Sequence, residues 1–295
     1  MNEENMQDFI SALVWDTRII QEYDGLYHYT SYDAAEKIFK EDAISFRLTK
    51  ATEFEDKMEG KAIEVYYDLA IEQLYKSKKI DDTLRSKLEA ISVPDKRLVT
   101  SRHKDGTTQI CEKPVTPYVI CFSTVENDDY MYRNYILKDC AGYCFEFSDV
   151  DINELCCLGT ANNVVIKTTP VLYGEQVIEY IKEKINEIIR DEKKLRKLDY
   201  YIGTILEKLE YSSKLSKFSK ENEVRLVVYV PEENFQNNSA FYRNNNEQKY
   251  LFFNISKYIF TGISYASWNK AEDNERIKKL LVAREYDFRN GTTAE

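Results

Sequence analysis

Apolar positions along this chain fall into two rhythms, and the rhythm decides the element. Recurrence at every second residue reads as a strand with one buried face, and recurrence at every third or fourth reads as a helix. The strand rhythm runs through residues 25–30 (GLYHYT), 43–48 (AISFRL), 118–123 (YVICFS), 143–147 (YCFEF), 164–173, 223–230 (EVRLVVYV) and 259–264, with a last short strand at 285–288. The helical rhythm runs through 5–22, through the segment carrying Ala34, Ala35, Ile38 and Phe39, and through about 61–76, 82–91, 130–137 and 271–281. Ser31 or Asp33 can cap the helix that follows the first strand.

Two stretches interrupt the alternation. Ile178, Ile181, Ile185, Ile188 and Ile189 form one apolar stripe and Ile202, Ile205 and Leu206 a second, which predicts a helical insertion over 176–220 packed against the sheet. Pro94, Pro114 and Pro117, set among Lys and Arg, predict a long surface loop over 94–117, and 235–247 reads as an Asn-rich loop. The expected architecture is α+β, a single domain over 1–295. Residues 23–175 supply the N-terminal half of a sheet core with helices, and 221–295 supply its C-terminal half.

Composition narrows the function classes. At 295 residues and 43% hydrophobic, with only 9 Gly and 5 Pro, the chain is long enough for a sizeable core and has neither a disordered nor a collagen-like composition. Acidic side chains outnumber basic ones by 51 to 41, and the resulting charge of −10 disfavours a general nucleic-acid binder, because phosphates would be repelled. Lys193, Lys194, Arg196 and Lys197, and likewise Lys214, Lys217 and Lys220, sit among acidic neighbours and read as solvated helix faces. The acidic start MNEENMQDF lacks the apolar run of a signal peptide, and no stretch approaches the ~18 apolar residues of a membrane helix, so the expectation is a cytoplasmic protein without membrane contact. The six cysteines lack paired C-x-x-C spacing and read as reduced thiols. With only His28 and His103 available, a His-rich metal site is excluded; 23 Tyr and 14 Phe point instead to a ligand cleft.

Three segments carry candidate chemistry. In LYHYTS (26–31) alternation sends His28 to the face opposite Tyr27 and Tyr29. In CFST (121–124) a strand ends in hydroxyls, with Met131, Tyr132 and Tyr135 soon after. In ENEVRL (221–226) Glu221, Glu223 and Arg225 share one face while Val224 and Leu226 take the core side, so the charged row must meet solvent, a cleft or itself. Taken one at a time, these are a satisfied core histidine, a packed strand end and an ordinary surface ion pair worth less than about 1 kcal/mol.

Together they carry a resemblance. The order LYHYTS, ISF followed by FEDKMEG, CFS with MYRNY and GYCFEF, then VLYG and KENEVRL resembles the bacterial domain-of-unknown-function 2971 family over residues 25–285. The chain departs from that pattern at Glu55 to Glu59, where the family has Asn-Asp-Pro-Phe-Glu, and at Met131-Tyr132, where it has Met-Trp. That family is similar in turn to the ADP-ribosyltransferase superfamily, which implies a split mixed β-sheet core of ADP-ribosyltransferase-like type. The resemblance implies that His28 hydrogen-bonds the nicotinamide ribose of NAD, that Ser123 and Thr124 form the middle Ser/Thr strand, that Tyr132 or Tyr135 stacks on nicotinamide, and that Glu223 is the late catalytic Glu. Glu221 with Glu223 mimics the Glu-x-Glu pair of arginine-modifying members.

The chemistry is coherent on physical grounds. Cleaving the N-glycosidic bond of NAD passes through an oxocarbenium-like state that a carboxylate such as Glu223 stabilises. Tyr29 and Thr30 beside His28 would help hold the dinucleotide, and Arg47 or Arg225 would pair with its pyrophosphate, without a metal. The expectation is an NAD-consuming ADP-ribosyltransferase or NAD glycohydrolase, a toxin or anti-phage effector, whose acceptor is a protein, a nucleic acid or a small molecule. The alternatives are an inactive module that senses a nucleotide or a phage protein, and a metal-dependent nuclease using Glu221, Glu223 and Asp56. The oligomeric state stays open.

Overall fold

The strand-rhythm segments build one curled, mainly antiparallel sheet, and the helices cover it or pack among themselves, giving a mixed α+β molecule. The computed structural model describes residues 23, 25–54, 60–102, 108–137, 140–148, 164–231, 242–244 and 249–293. In chain order the strands are β1 Leu26–Ser31, β2 Ile44–Lys50, β3 Lys96–Arg102, β4 Thr108–Ser123, β5 Gly142–Phe147, β6 Val165–Pro170, β7 Leu172–Tyr173, β8 Ser213–Lys214, β9 Glu223–Pro231, β10 Tyr242–Asn244, β11 Tyr250–Ile255, β12 Phe260–Tyr265 and β13 Arg289–Thr293. The helices are α1 Tyr32–Ile38, α2 Ala62–Lys76, α3 Asp82–Glu89, α4 Asp129–Tyr135, α5 Glu175–Arg190, α6 Glu192–Leu195, α7 Leu198–Leu209 and α8 Ala271–Ala283.

β4 is the hub. Along Val115 to Ser123 it pairs with β9, which pairs on its other side with β6. Across from β9, β4 has two partners that diverge. β2 meets it at Thr49↔Val119 and Lys50↔Tyr118, and β1 meets it at Tyr27↔Ser123. Between those contacts Ile120, Cys121 and Phe122 have no strand partner on that side among the described residues, so the sheet forks. One branch runs β2, β11, β10 and the other β1, β5, β12, β13, the last pair parallel.

Each sheet face has its own filling. One is apolar and aromatic: Phe39, Phe46, Phe122, Phe145, Phe147 and Phe260 make edge-on ring contacts, closed over by Ala35 and Ile38 of α1 and Ile277 and Leu281 of α8. The other carries Tyr27, Tyr29, Met131 and Tyr132 near β1, and Val119, Val227 and Tyr229 near β4 and β9.

Several expectations need correction. Residues 94–117 form a hairpin rather than a loop, because β3 and the first half of β4 pair from Lys96↔Pro114 to Arg102↔Thr108. The prolines are tolerated because Pro114 and Pro117 lie where β4 has a ladder partner on one side only, β3 for the first and β9 for the second. β11 was not predicted, although its alternating Leu251, Phe253 and Ile255 are all buried. The last strand is β13, not 285–288; Tyr286 is instead a core ring whose hydroxyl donates to the carbonyls of Lys40 and Ala43. The stripes of α5 and α7 pack not on the sheet but against α2 and α3, with Ile63, Ile71 and Leu74 joining Ile181, Ile185 and Ile202 in a separate all-helical core. The predicted helix 5–22 and residues 55–59, 235–241 and 245–247 lie outside the described residues, while β10 falls within the predicted 235–247 loop.

Candidate functional site

The fork opens a cavity of about 610 Å³, within the ~300–1,000 Å³ of small-molecule sites. Its walls are β1, β2 and β4, its mouth carries Met131 and Tyr135 of α4 together with Leu137, and Glu221 and Glu223 border it. Tyr135 and Leu137 are 47% and 77% exposed, so the mouth is apolar and open.

His28 sits in the fork itself. Its ring lies edge-on to Phe46 and Phe122, on the aromatic face, and its Nδ1 is 3.1 Å from the carbonyl oxygen of Cys121. A carbonyl only accepts, so Nδ1 carries the hydrogen and the imidazole supplies the donor that a neighbouring strand would otherwise give β4. Burial lowers the His28 pKa against that hydrogen bond, which keeps the ring neutral and makes Nε2 an acceptor.

Across the sheet from His28 lies a buried cluster of charges. Glu223 opens β9 and Arg225 follows two residues later on the same face; Arg225, the largest fully buried side chain, is 1% exposed. Its Nε is 3.0 Å and its second terminal nitrogen 3.2 Å from the Glu223 oxygens, and its remaining terminal nitrogen donates to the Tyr211 carbonyl at 2.7 Å. Lys214 of β8 bridges the carboxylates, 2.7 Å from Glu221 and 2.9 Å from Glu223. Burial would raise the Glu223 carboxyl, but Arg225 and Lys214 outweigh it and hold it well below the usual carboxylate range. Burial would lower the Lys214 ammonium, and the Glu223 charge turns that into a raised value. Glu221 is not part of β9. It ends a 3₁₀ turn over Ser216–Glu221, and the left-handed Asn222 (φ 43°) between the two glutamates lets both reach one ammonium.

The remaining expected residues divide. Tyr29, Thr30, Arg47, Ser123 and Tyr135 line the cavity with His28, Glu221 and Glu223, whereas Thr124, Tyr132 and Arg225 do not. Within the lining, some hydroxyls are already engaged. Ser123 Oγ donates to the Glu221 carbonyl and accepts from the Val125 amide, while the Tyr29 hydroxyl donates to the Val125 carbonyl and accepts from the Asp128 amide. These groups fix the 123–128 loop. Tyr132 is buried behind Tyr29, ring centroids 5.0 Å apart. Arg225 lies beneath Glu223, so the exposed cations on the lining are Arg47, over the Tyr250 ring, and Lys37. The Tyr135 hydroxyl turns toward Glu221; burial, then the two glutamate charges, push its pKa up.

Lys214, Tyr173 and Tyr211 are the groups that sequence reasoning missed. Lys214 reads as one of three solvated lysines, and only the β7–β8 pairing turns it inward. Tyr173 accepts the Glu223 amide hydrogen at 2.8 Å, a contact no local spacing announces. Among the described residues no group of three or more His, Cys, Asp or Glu side chains is arranged to hold a metal ion, and no helix is long and apolar enough to cross a membrane. Asp56 lies outside the described residues. Comparisons with protein-family models, curated proteins and solved structures find no match to this chain.

Proposed function

We propose that the protein is an NAD-consuming enzyme of ADP-ribosyltransferase-like type, an ADP-ribosyltransferase or NAD glycohydrolase, working in the cavity at the sheet fork. One observation carries the reading: His28 of the first strand and Glu223 at the start of a late strand border the same cavity. The forked sheet and the motif order resembling the domain-of-unknown-function 2971 family support the fold type.

In this reaction the bond between ribose C1′ and the nicotinamide nitrogen breaks, and its electron pair leaves with nicotinamide. The positive charge left on the ribose faces the Glu223 carboxylate, which is ionised before substrate arrives. Water, or an acceptor group on a protein, nucleic acid or small molecule, then bonds to C1′ and gives its proton to Glu221. His28 Nε2 accepts a hydrogen bond from a ribose hydroxyl, Arg47 and Lys37 face the pyrophosphate, and Tyr135 at the mouth covers the nicotinamide ring. The biological setting we propose is a toxin or anti-phage effector, in which loss of NAD is the harm.

The deciding measurement is nicotinamide release from NAD by the purified protein, with and without candidate acceptors. Turnover that falls about 100- to 1,000-fold in Glu223→Gln supports the assignment; no release and no modified acceptor removes it. A second reading, binding without turnover, is favoured by one feature: Glu223 already shares its charge with Arg225 and Lys214. Calorimetric binding of NAD or ADP-ribose by a protein that releases no nicotinamide selects that reading.

A further inference from the structure

The two cations of the buried cluster are not equivalent. Arg225 stands two residues from Glu223 on one strand, so β9 alone fixes that pair. Lys214 arrives from β8, a strand that among the described residues pairs only with β7. Its carbonyl accepts from the Tyr66 hydroxyl of α2 at 3.2 Å and from the Gly174 amide at 3.0 Å, so its position is set by the helical unit. Its side chain is 12% exposed, and its ammonium joins carboxylates from two further elements, Glu221 of the 3₁₀ turn and Glu223 of β9.

We propose that Lys214 is a positioning residue: its ammonium, between the two carboxylates, braces Glu221 and Glu223 side by side at the cavity wall. The proposal rests on the NAD reading for its catalytic consequence but not for its electrostatics. Two carboxylates within reach of one nitrogen repel each other in a partly dry site, and without the cation between them they move apart. Arg225 would still hold Glu223, so the displacement falls on Glu221, the group placed to receive the acceptor's proton. The charged and titratable groups that face Lys214 are Glu221, Glu223, Arg225 and the Cys121 thiol, with the Tyr173 hydroxyl beside Glu223 and the Phe218 ring at 5.1 Å. Of these Arg225 repels it, while the two carboxylates, with the Phe218 ring beside them, hold the ammonium in place.

The test uses the full chain labelled with ¹³C at glutamate side-chain carboxyls, with Glu221→Gln and Glu223→Gln spectra for assignment. In Lys214→Met the Glu223 carboxyl, which Lys214 helps Arg225 hold below the usual carboxylate range, should titrate higher by about one pH unit or more, a tenfold change in proton affinity, and Lys214→Arg should return it close to wild type. Nicotinamide release should show kcat falling about tenfold or more with KM within about threefold, and Lys214→Arg should restore most of it; a merely structural role would lower the folded fraction without that split between kcat and KM. Carboxyl titrations of Lys214→Met that superimpose on wild type overturn the brace. Should Lys214→Met fail to fold, the glutamate variants decide: the Lys214 ¹⁵N ammonium resonance must move in both Glu221→Gln and Glu223→Gln, and a response to Glu223→Gln alone overturns it. A titration that shifts in a protein without NAD turnover keeps the brace and removes the activity; turnover with unmoved titrations does the reverse.

Discussion

The two faces of β9 make the most instructive contrast in the molecule. Val224, Leu226, Val228 and Val230 point into the aromatic core, while Glu223, Arg225, Val227 and Tyr229 point the other way, and every residue of the strand is buried. The first face is stabilised by area removed from water, which tolerates approximate fits. The second is stabilised only because each charge meets its opposite at 2.7–3.2 Å. Equal burial therefore hides unequal tolerance: the apolar face loses stability by degrees, and the charged face loses it at once.

Substitutions on β9 put this contrast at risk directly. Arg225→Ala leaves Glu223 buried with one cation fewer and the Tyr211 carbonyl without its donor, so denaturant unfolding should report a loss of about 3–5 kcal/mol. A loss below about 1 kcal/mol would mean that the charged face is no more demanding than the surface. Leu226→Ala on the opposite face should cost about 2–5 kcal/mol, depending on how far the aromatic core collapses around it.

Acid separates the charges from the core without mutation. The Glu223 pKa is depressed, so its stabilisation is complete above the ordinary value of 4.5 and is lost as pH falls from there toward the folded value, at about 1.4 kcal/mol for each unit of depression. His28 opens an earlier window. Its pKa is lowered from 6.5, so below that value the unfolded chain takes up a proton the folded ring refuses, and stability declines. Unfolding free energy followed from pH 7 to pH 3 should thus fall in two stages, and His28→Gln should abolish the upper one while leaving the lower. A single stage in the wild type would show that one of the two groups titrates in the folded state as it does in the unfolded chain.

Smaller effects test how the charged face is seated. Gly174, at φ 55°, donates to the Lys214 carbonyl, and a Cβ there would stand 2.8 Å from Ser216 Oγ. Gly174→Ala should cost about 1–2 kcal/mol and should disturb Lys214 more than Leu226, visible as chemical-shift changes concentrated around β8. Tyr135→Phe at the half-exposed mouth removes a hydroxyl that faces Glu221 and should cost no more than about 1 kcal/mol; a larger loss would make the mouth part of the scaffold.

Much of the contrast was legible in the residues. Alternation in LYHYTS correctly separated His28 from Tyr27 and Tyr29, and alternation in EVRL correctly set Val224 and Leu226 against Glu223 and Arg225. What alternation does not encode is what lies over a polar face. The Glu223–Arg225 pair reads as surface because buried charges need partners from distant segments, and Lys214 and the Tyr211 carbonyl come from a short stretch, a turn leading into β8, whose sequence looks solvated. The 94–117 hairpin was hidden for a related reason. Proline marks a loop unless the strand's ladder partner lies on one side only, a property of the sheet and not of the segment. The apolar stripes of α5 and α7 likewise fit a sheet or another helix equally well, and the choice fell to α2 and α3.

The buried cluster also constrains how this chain can change over generations. Glu221, Glu223, Arg225 and Lys214 sum to no net charge, and exchanging a whole ion-paired set for apolar residues of similar volume is often nearly neutral, whereas losing one member is severe. Single substitutions at these positions therefore lead into a deep valley, while a coordinated exchange crosses it. Four residues from two elements and a turn behave as one inherited character, kept together or replaced together.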